Sequence, residues 1–397
     1  MRRLEVIDGL RGYFLVFMFL NHLSFAGGYM LVRLNHAELG FVQDAQGFVF
    51  LSGLVGMVYA RRMLKDGFGV GAFQMWRRAA ELYAYTIAAV LTILGLREVL
   101  PNAPQLWDTW LGGIGSGGFA FRAAGAALLY QPNYLDILPQ YICYLLVAPP
   151  LVWLCVRGRW LWVALGSAML WLALQTGVHL PAVEAIDRGL SQFDANLTMR
   201  VAFNVLGWQV LFVGAMVIGA MWAKGDIDFE RVFDPDKTLL VRAFSVSLLF
   251  FLAFRLGFTF EVVPENVIER FQVYENRAEF GPIFLVNFIL LGYVLAWLLI
   301  AGPRSKNSIV ARIARWLSAL FGLSFLQLLG RHSLQIYAWH VVLVYVVLWL
   351  DGVAGPFGEI GKTSIALAGV AVLSAPAVYR EWRANRRTRE LVGRTAA

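Results

Sequence analysis

Charged residues are scarce in this chain of 397 residues. Lys, Arg, Asp and Glu make up 15% of it, against about 25% in an ordinary soluble domain. Hydrophobic residues make up 59%, which leaves too little polar surface to cover the apolar volume of a soluble enzyme. The composition also excludes a disordered, a collagen-like or a disulfide-scaffold chain. We therefore predict an all-α, polytopic helical membrane protein with about ten transmembrane helices.

The sequence is also poor in cysteine and in cofactor motifs. Its two cysteines, Cys143 and Cys155, lie in one apolar segment without metal-ligand spacing, so we interpret both as packing residues. The glycine-rich stretch 112–118 lacks the lysine and the strand–helix setting of a phosphate loop. No internal repeat is obvious, which disfavours a transporter built from inverted halves. We predict no metal and no permanently bound cofactor.

Apolar runs and basic residues together predict the topology. The predicted spans are 10–30, 46–61, 79–96, 135–156, 159–178, 204–223, 239–258, 281–301, 332–350 and 363–379. The apolar stretches 119–130 and 313–328 are too short or too amphipathic, and we interpret them as interfacial or re-entrant pieces. With a cytoplasmic N-terminus, about 24 of the 34 Lys and Arg residues lie on the inner side.

This charge distribution also explains the net charge of +8. In a soluble protein it would indicate nucleic acid, but here the basic residues flank membrane helices, and we expect lipids and no nucleic acid as partners. Arg2 and Arg3 before an apolar run resemble a signal peptide, but Arg11 interrupts the run, so we expect a retained first helix. Residues 1–380 are predicted to form a single transmembrane domain, and residues 381–397 a basic cytoplasmic tail.

Ionisable residues inside membrane helices are costly and are therefore functional candidates. Arg11 and His22 are eleven residues apart in the first helix, within roughly 20° of one face and about 16 Å apart along the axis. A neutral imidazole can accept a proton from a hydroxyl nucleophile, and a guanidinium can hold phosphate or carboxylate groups. Asp8 is a candidate cap or partner of Arg11. The alternative is an anchoring arginine and a structural histidine.

A second group of candidates lies in and after the second span. Small residues around Ser52 favour close helix packing, and a cavity-facing Ser52 is the alternative. The basic residues that follow anchor the inner side, and they also suit a mouth that binds a phosphorylated donor, with Glu81 ordering an arginine. The donor-binding candidates are Arg61, Trp76, Arg77 and Arg78.

The third group lies where helices begin on the predicted outer side. Asp136 precedes one such helix, and Asn204, Trp208 and Gln209 begin another. An aromatic face with amides suits sugar recognition or an oxyanion, although helix caps and an interfacial tryptophan belt would use the same residues. His340 lies about two turns after His332 in a later helix, and it is a further candidate for the His22 site.

These residues, in this order, resemble the acyltransferase-3 superfamily. The resemblance rests on Arg11 and His22, on segments 50–53 and 76–78, and on segment 330–340. Segments 136–139 and 203–209 resemble its OpgC branch, inner-membrane enzymes that succinylate osmoregulated periplasmic glucans. The superfamily often has Arg-x-x-Arg after the second span, whereas this chain has the adjacent pairs Arg61-Arg62 and Arg77-Arg78.

The resemblance implies an O-acyltransferase of the bacterial inner membrane, with acyl-CoA as cytoplasmic co-substrate and a periplasmic glucan as acceptor. It implies that His22 is the essential imidazole and that Arg11 helps to hold the donor, which is expected to be succinyl-CoA. Two alternatives remain at this point. One is an O-acetyltransferase of another envelope polysaccharide, and the other is a membrane transporter without enzymatic activity.

Overall fold

The computed structural model describes residues 2–395, with the side chains of all of these except 2–4, 34 and 387–395. Helices make up 77% of the structure, and no strand occurs in its described part. A single isolated bridge joins Tyr130 and Arg200. The predicted all-α, polytopic class is confirmed.

Ten α-helices form the first half of the chain. They are α1 (Arg2–His22), α2 (Asp44–Leu54), α3 (Gly56–Asp66), α4 (Phe68–Val99), α5 (Ala103–Leu111), α6 (Gly113–Ser116), α7 (Phe119–Ala126), α8 (Ile137–Val156), α9 (Trp160–Gln175) and α10 (Leu180–Ser191). Two 3₁₀ turns, Met30–Leu34 and His36–Leu39, lie between α1 and α2.

Ten further α-helices follow. They are α11 (Val205–Lys224), α12 (Phe229–Val232), α13 (Leu239–Thr259), α14 (Glu265–Gln272), α15 (Pro282–Ile300), α16 (Ser308–Phe321), α17 (Ser324–Arg331), α18 (Ser333–Ala354), α19 (Glu359–Leu373) and α20 (Ala375–Thr395). The predicted tail begins within α20, and the side chains of Arg387, Arg389 and Arg394 lie outside the described residues.

Eight of these helices or helix runs are long and apolar enough to cross a membrane, and up to ten if two broken pairs each count as one span. The eight correspond to eight of the predicted spans. A further predicted span, 159–178, falls in the broken pair α9–α10, which is bent by 71°. The second broken pair, α16–α17, covers the stretch 313–328 that we interpreted as interfacial or re-entrant. The chain is therefore a multi-pass membrane protein.

The first predicted span, 10–30, is wrong at its end. Helix α1 ends at His22, and the chain then turns through Gly27 and Gly28, whose φ angles are +76° and +69°. Residues other than glycine rarely adopt this backbone conformation. The two glycines therefore redirect the chain at a point where hydropathy alone predicted that the helix continues. Helix α1 is not among the eight candidate spans, and its sequence carries Glu5, Asp8 and Arg11.

The chain forms two compact units. Unit 1 combines the first 34 residues, Ala88–Trp107 and the chain from Ser318 onward, and unit 2 combines Asn35–Ile87 with Asp108–Leu317. Within unit 1, α1 packs most extensively on α17. A methyl group added to Gly12 would overlap the backbone of Leu326, and one added to Gly330 would overlap the backbone of Asp8. Small residues thus let two helix backbones touch.

Unit 1 also fixes the turn that follows α1. The buried Lys362 ammonium donates to the carbonyl oxygens of Ala26 and Gly28, both at 2.7 Å. The Ala26 N–H donates to the buried Asp351 carboxylate, also at 2.7 Å. Because these backbone groups are satisfied by charged side chains from α18 and α19, the turn after His22 has a defined course.

Helix α11 is the centre of unit 2 and packs against α2, α3, α8 and α9. Gly53 of α2 lies against the backbone of Phe212, where a side chain would overlap it. The Tyr141 hydroxyl donates to the Phe48 carbonyl oxygen at 2.7 Å and so joins α8 to α2. These contacts hold α2 against α8 and α11.

Candidate functional site

Two histidines of unit 1 lie in contact. His22 is the last residue of α1, and His340 lies in the third turn of α18. The Nδ1 atom of His22 is 3.2 Å from Nε2 of His340, and the ring centroids are 5.4 Å apart. His340 is fully buried, whereas His22 is half-buried. The structure therefore brings together two residues that are 318 positions apart in sequence.

The hydrogen bonds of His340 define which ring nitrogens carry protons. Its Nδ1 contacts the carbonyl oxygen of Tyr337, and since a carbonyl oxygen only accepts, Nδ1 is the donor. Burying a charge is costly, so we assign His340 as a neutral ring whose Nε2 accepts from Nδ1–H of His22. In neutral His22 the lone pair is then on Nε2, which is the atom that can take a proton from a substrate.

Arg11 and Asp8 lie on the same helix, nearer its N-terminus than His22. Arg11 is half-buried, and the positive charges of Arg11 and Arg331 both act on the Asp8 carboxylate. His22 lies eleven positions after Arg11 in α1, and at about 1.5 Å per residue this is about 16 Å along the helix axis. The arginine and the imidazole therefore lie on one rigid element but not in contact.

The predicted donor residues all lie in unit 2, on α3 and α4. Arg78 pairs with Glu81 at 3.0 Å and Arg77 lies 3.8 Å from the same carboxylate, so Glu81 orders both guanidinium groups. Trp76 is exposed, and its Nε1–H donates to the Leu146 carbonyl oxygen at 3.2 Å. The Arg61 guanidinium lies 5.8 Å from the ring centroid of Trp222. The guanidinium groups of Arg61 and Arg77 are exposed, and Arg78 is half-buried.

Ser52 lies in α2 directly before Gly53, the residue that touches the backbone of α11. It is half-buried. Its place in the chain therefore agrees with close helix packing, one of the two interpretations of this segment.

Three predicted acceptor residues at the start of α11 have structural contacts. Asn204 caps the helix, accepting from the Leu206 N–H at 3.0 Å. The Trp208 indole is fully buried and donates to the Arg277 carbonyl oxygen at 3.1 Å. The Gln209 amide accepts from the Ser167 hydroxyl at 2.6 Å and donates to the Ser167 carbonyl oxygen at 2.8 Å. These bonds fix α11 in unit 2.

Asp136 occupies the N-cap position of α8, but its side chain does not cap the helix. Burial raises the pKa of this carboxyl to about 6, although the positive charges of Arg277 and Arg200 act in the opposite direction. Arg277 also interacts with Asp44, a buried residue at the start of α2. Sequence reasoning missed Asp44 and Arg277. A carboxylate at the start of an apolar helix was the available signal for Asp44.

His36 is a third residue that the sequence did not single out. Its Nε2 lies 3.6 Å from the Asp44 carboxylate, and burial lowers the pKa of the imidazole to about 4. At neutral pH the contact is therefore one between a neutral ring and a carboxylate. Among the residues that the structure describes, no three His, Cys, Asp or Glu side chains are grouped as metal ligands would be.

Comparison with known proteins gives one match. A family model described as OpgC protein matches residues 2–385, nearly the whole chain. No curated protein and no solved structure matches it. The match includes every candidate residue of α1, α4, α8, α11 and α18.

Proposed function

Because this chain belongs to the OpgC family of glucan-modifying acyltransferases, we propose that it transfers a succinyl group from cytoplasmic succinyl-CoA to hydroxyl groups of periplasmic glucans. The enzyme would lie in the bacterial inner membrane with both termini in the cytoplasm, as the distribution of basic residues predicts. His22 is the proposed general base.

The observation that carries this proposal is the pair of His22 and His340. A general base needs a lone pair on the atom that faces the substrate and a partner that holds the ring in that tautomer. The contact of 3.2 Å between Nδ1 of His22 and Nε2 of His340 supplies such a partner. When His22 becomes protonated, the same bond is charge-assisted and therefore stronger.

The reaction proceeds by one proton transfer and one acyl transfer. Nε2 of His22 removes the proton from a glucan hydroxyl, and the oxygen attacks the thioester carbonyl carbon. The carbon–sulfur bond then breaks, the ester forms, and the departing thiolate of CoA takes the proton back from His22. No net proton is gained or lost by the enzyme, so His22 is ready for another cycle.

Arginines hold the donor in this proposal. CoA carries phosphate groups, which guanidinium groups bind with charge-assisted hydrogen bonds. Arg61, Arg77 and Arg78 bind the nucleotide end with Trp76 beside them, in keeping with the exposure of Arg61 and Arg77 and the half-burial of Arg78. Arg11, on the same helix as His22, is a further proposed contact of the donor. The thioester thus meets the acceptor within the membrane without crossing it.

The test is His22→Ala, expressed in cells that lack the native gene. We expect membrane-inserted, folded protein and periplasmic glucans without the mass increments of succinyl groups. His332→Ala is the matched control, since His332 precedes the first turn of α18 and its Nε2 lies 3.6 Å from the Glu381 carboxylate. Mass spectrometry of the glucans identifies the acyl group directly. Normal succinylation in His22→Ala refutes the mechanism, and acetyl increments in the wild type refute the succinyl donor.

A further inference from the structure

Two buried acids in unit 2 lie near one guanidinium group. Asp44 begins α2 and is 4% exposed, and Asp136 precedes α8 and is 8% exposed. The charge of Arg277, in the loop before α15, acts on both. The Tyr141–Phe48 hydrogen bond joins the same two helices one turn farther along. Two carboxylates and a guanidinium are thus gathered from three distant segments.

A buried glutamine points to a ligand at this place. Gln140 follows Asp136 by four residues, and residues at this spacing share one face of a helix. It is 1% exposed, and neither its amide nitrogen nor its amide oxygen has a hydrogen-bonding partner among the described residues. Buried amides normally have partners in the protein or in what it binds. The Gln140 amide therefore offers both a donor and an acceptor beside Asp136.

The backbone of Tyr134, two residues before Asp136, is strained and places the tyrosine ring against Trp110. Tyr134 has a φ of +70°, which L residues rarely adopt, and its ring lies 5.0 Å from that of Trp110, edge to face. Both rings are half-buried. Strain of this kind persists where the surroundings enforce it and is frequent at binding sites. Arg200 fixes the preceding residue by donating to the Asn133 side chain at 2.8 Å.

The charges favour a neutral ligand that is rich in hydroxyl groups. Two carboxylates, Asp44 and Asp136, are balanced by Arg277 and Arg200, so an anionic ligand gains no net attraction. Carboxylates accept hydrogen bonds from hydroxyl groups, guanidinium groups donate to them, and an amide does both. Half-exposed aromatic rings add an apolar face for a sugar ring.

We propose that four side chains form a binding subsite for a sugar unit of the glucan acceptor: Asp44, Asp136, Gln140 and Arg277. This sugar subsite rests on the proposed function, because that function supplies the glucan. It adds Asp44, Gln140 and Arg277 to the predicted acceptor residue Asp136. We assign a structural role to Asn204, Trp208 and Gln209, because their polar groups form hydrogen bonds within the protein.

The experiment measures glucan binding in the absence of acyl-CoA. Full-length protein in lipid nanodiscs is titrated with a neutral β-linked glucose oligosaccharide, and Kd is obtained by calorimetry. In Gln140→Met, which keeps the side-chain length, we expect Kd to rise about tenfold, the effect of roughly one to two lost hydrogen bonds. Thermal stability should not fall, because no described residue loses a hydrogen-bonding partner.

The control is Gln175→Met. The Gln175 amide donates to the Glu279 carbonyl oxygen at 3.1 Å, so the substitution removes a hydrogen bond within the protein. We expect a lower melting temperature with the wild-type Kd for the oligosaccharide. This pattern is the opposite of that expected for Gln140→Met, and it separates loss of ligand contact from loss of stability.

Each outcome decides the proposal. An unchanged Kd in Gln140→Met, or a wild-type protein that does not bind the oligosaccharide, overturns the sugar subsite. If Gln140→Met does not fold, Asp136→Asn replaces it, with weaker binding supporting the subsite and unchanged binding overturning it. Wild-type protein that binds the oligosaccharide but never acylates it refutes the proposed function and leaves the subsite standing.

Discussion

The contact between the two histidines of unit 1 predicts that His340 governs the rate without touching the substrate. His340→Met removes the ring nitrogen that accepts from Nδ1 of His22, a contact of 3.2 Å. His340→Gln retains an acceptor, because its amide oxygen can lie near the position of Nε2. We therefore expect His340→Met to lower kcat and His340→Gln to restore a large part of it, with the KM for acyl-CoA unchanged in both.

The magnitude follows from the charge on His22 in the transition state. A hydrogen bond to a charged group contributes about 1.5–3 kcal/mol. One factor of ten in rate corresponds to about 1.36 kcal/mol, so His340→Met should lower kcat by roughly 10-fold to 150-fold. His22→Ala removes the base itself and should lower kcat by about 10²–10⁴-fold.

The assay follows release of the CoA thiol by purified protein with saturating acyl-CoA and glucan. His332→Gln is the control, since His332 pairs with Glu381 at 3.6 Å and has no part in the proton transfer. It should retain the wild-type kcat. The reasoning is refuted if His340→Met has the wild-type kcat, or if the Gln and Met variants are equally slow while both melt at the wild-type temperature.

Two further predictions concern stability. Gly12→Ala should lower the free energy of unfolding in detergent by about 1–3 kcal/mol, because the added methyl group overlaps the Leu326 backbone; Gly214→Ala, where nothing lies within 4 Å, should not. Burial raises the pKa of Asp136 from 3.8 to about 6, because ionising the buried carboxyl is costly. The resulting contribution to the stability of the fold is complete below about pH 4 and is lost as the pH rises through 6. The melting temperature of the wild type relative to Asp136→Asn should therefore fall between pH 4 and pH 7, and a constant difference would contradict the assignment.

Much of the fold was predictable because hydropathy and charge are local properties of the sequence. An apolar run of about 20 residues must form a helix in lipid, whatever it packs against. The ends of helices depend on more. Helix α1 stops at His22 because the chain beyond it is held by Lys362 and Asp351, more than 300 residues away. The break at Val55, between α2 and α3, likewise has no proline or charge to announce it.

In the candidate site, too, some features could be predicted from the sequence and others depend on the fold. Arg11 and His22 could be placed on one face because both lie in one helix, where spacing gives geometry. His340 was predicted as a candidate from its depth in α18, but only the fold shows which of its ring nitrogens meets His22. Gln140 attracted no notice, since a glutamine in the first turn of a helix is ordinary. Its buried, unpartnered amide is a property of packing among the described residues, not of sequence.

The backbone contact of α1 with α17 keeps the distance between Arg11 and His22 constant. Gly12 of α1 and Gly330 of α17 leave no layer of side chains between the two helices that could slide or repack, and His340 contacts His22 at the other end of α1. The distance from Arg11 to His22 is therefore set by the number of residues between them. Under the proposed mechanism, a donor must span about 16 Å between the group held by the arginine and its reactive carbon. One inserted residue would rotate His22 by about 100° and so misplace the base.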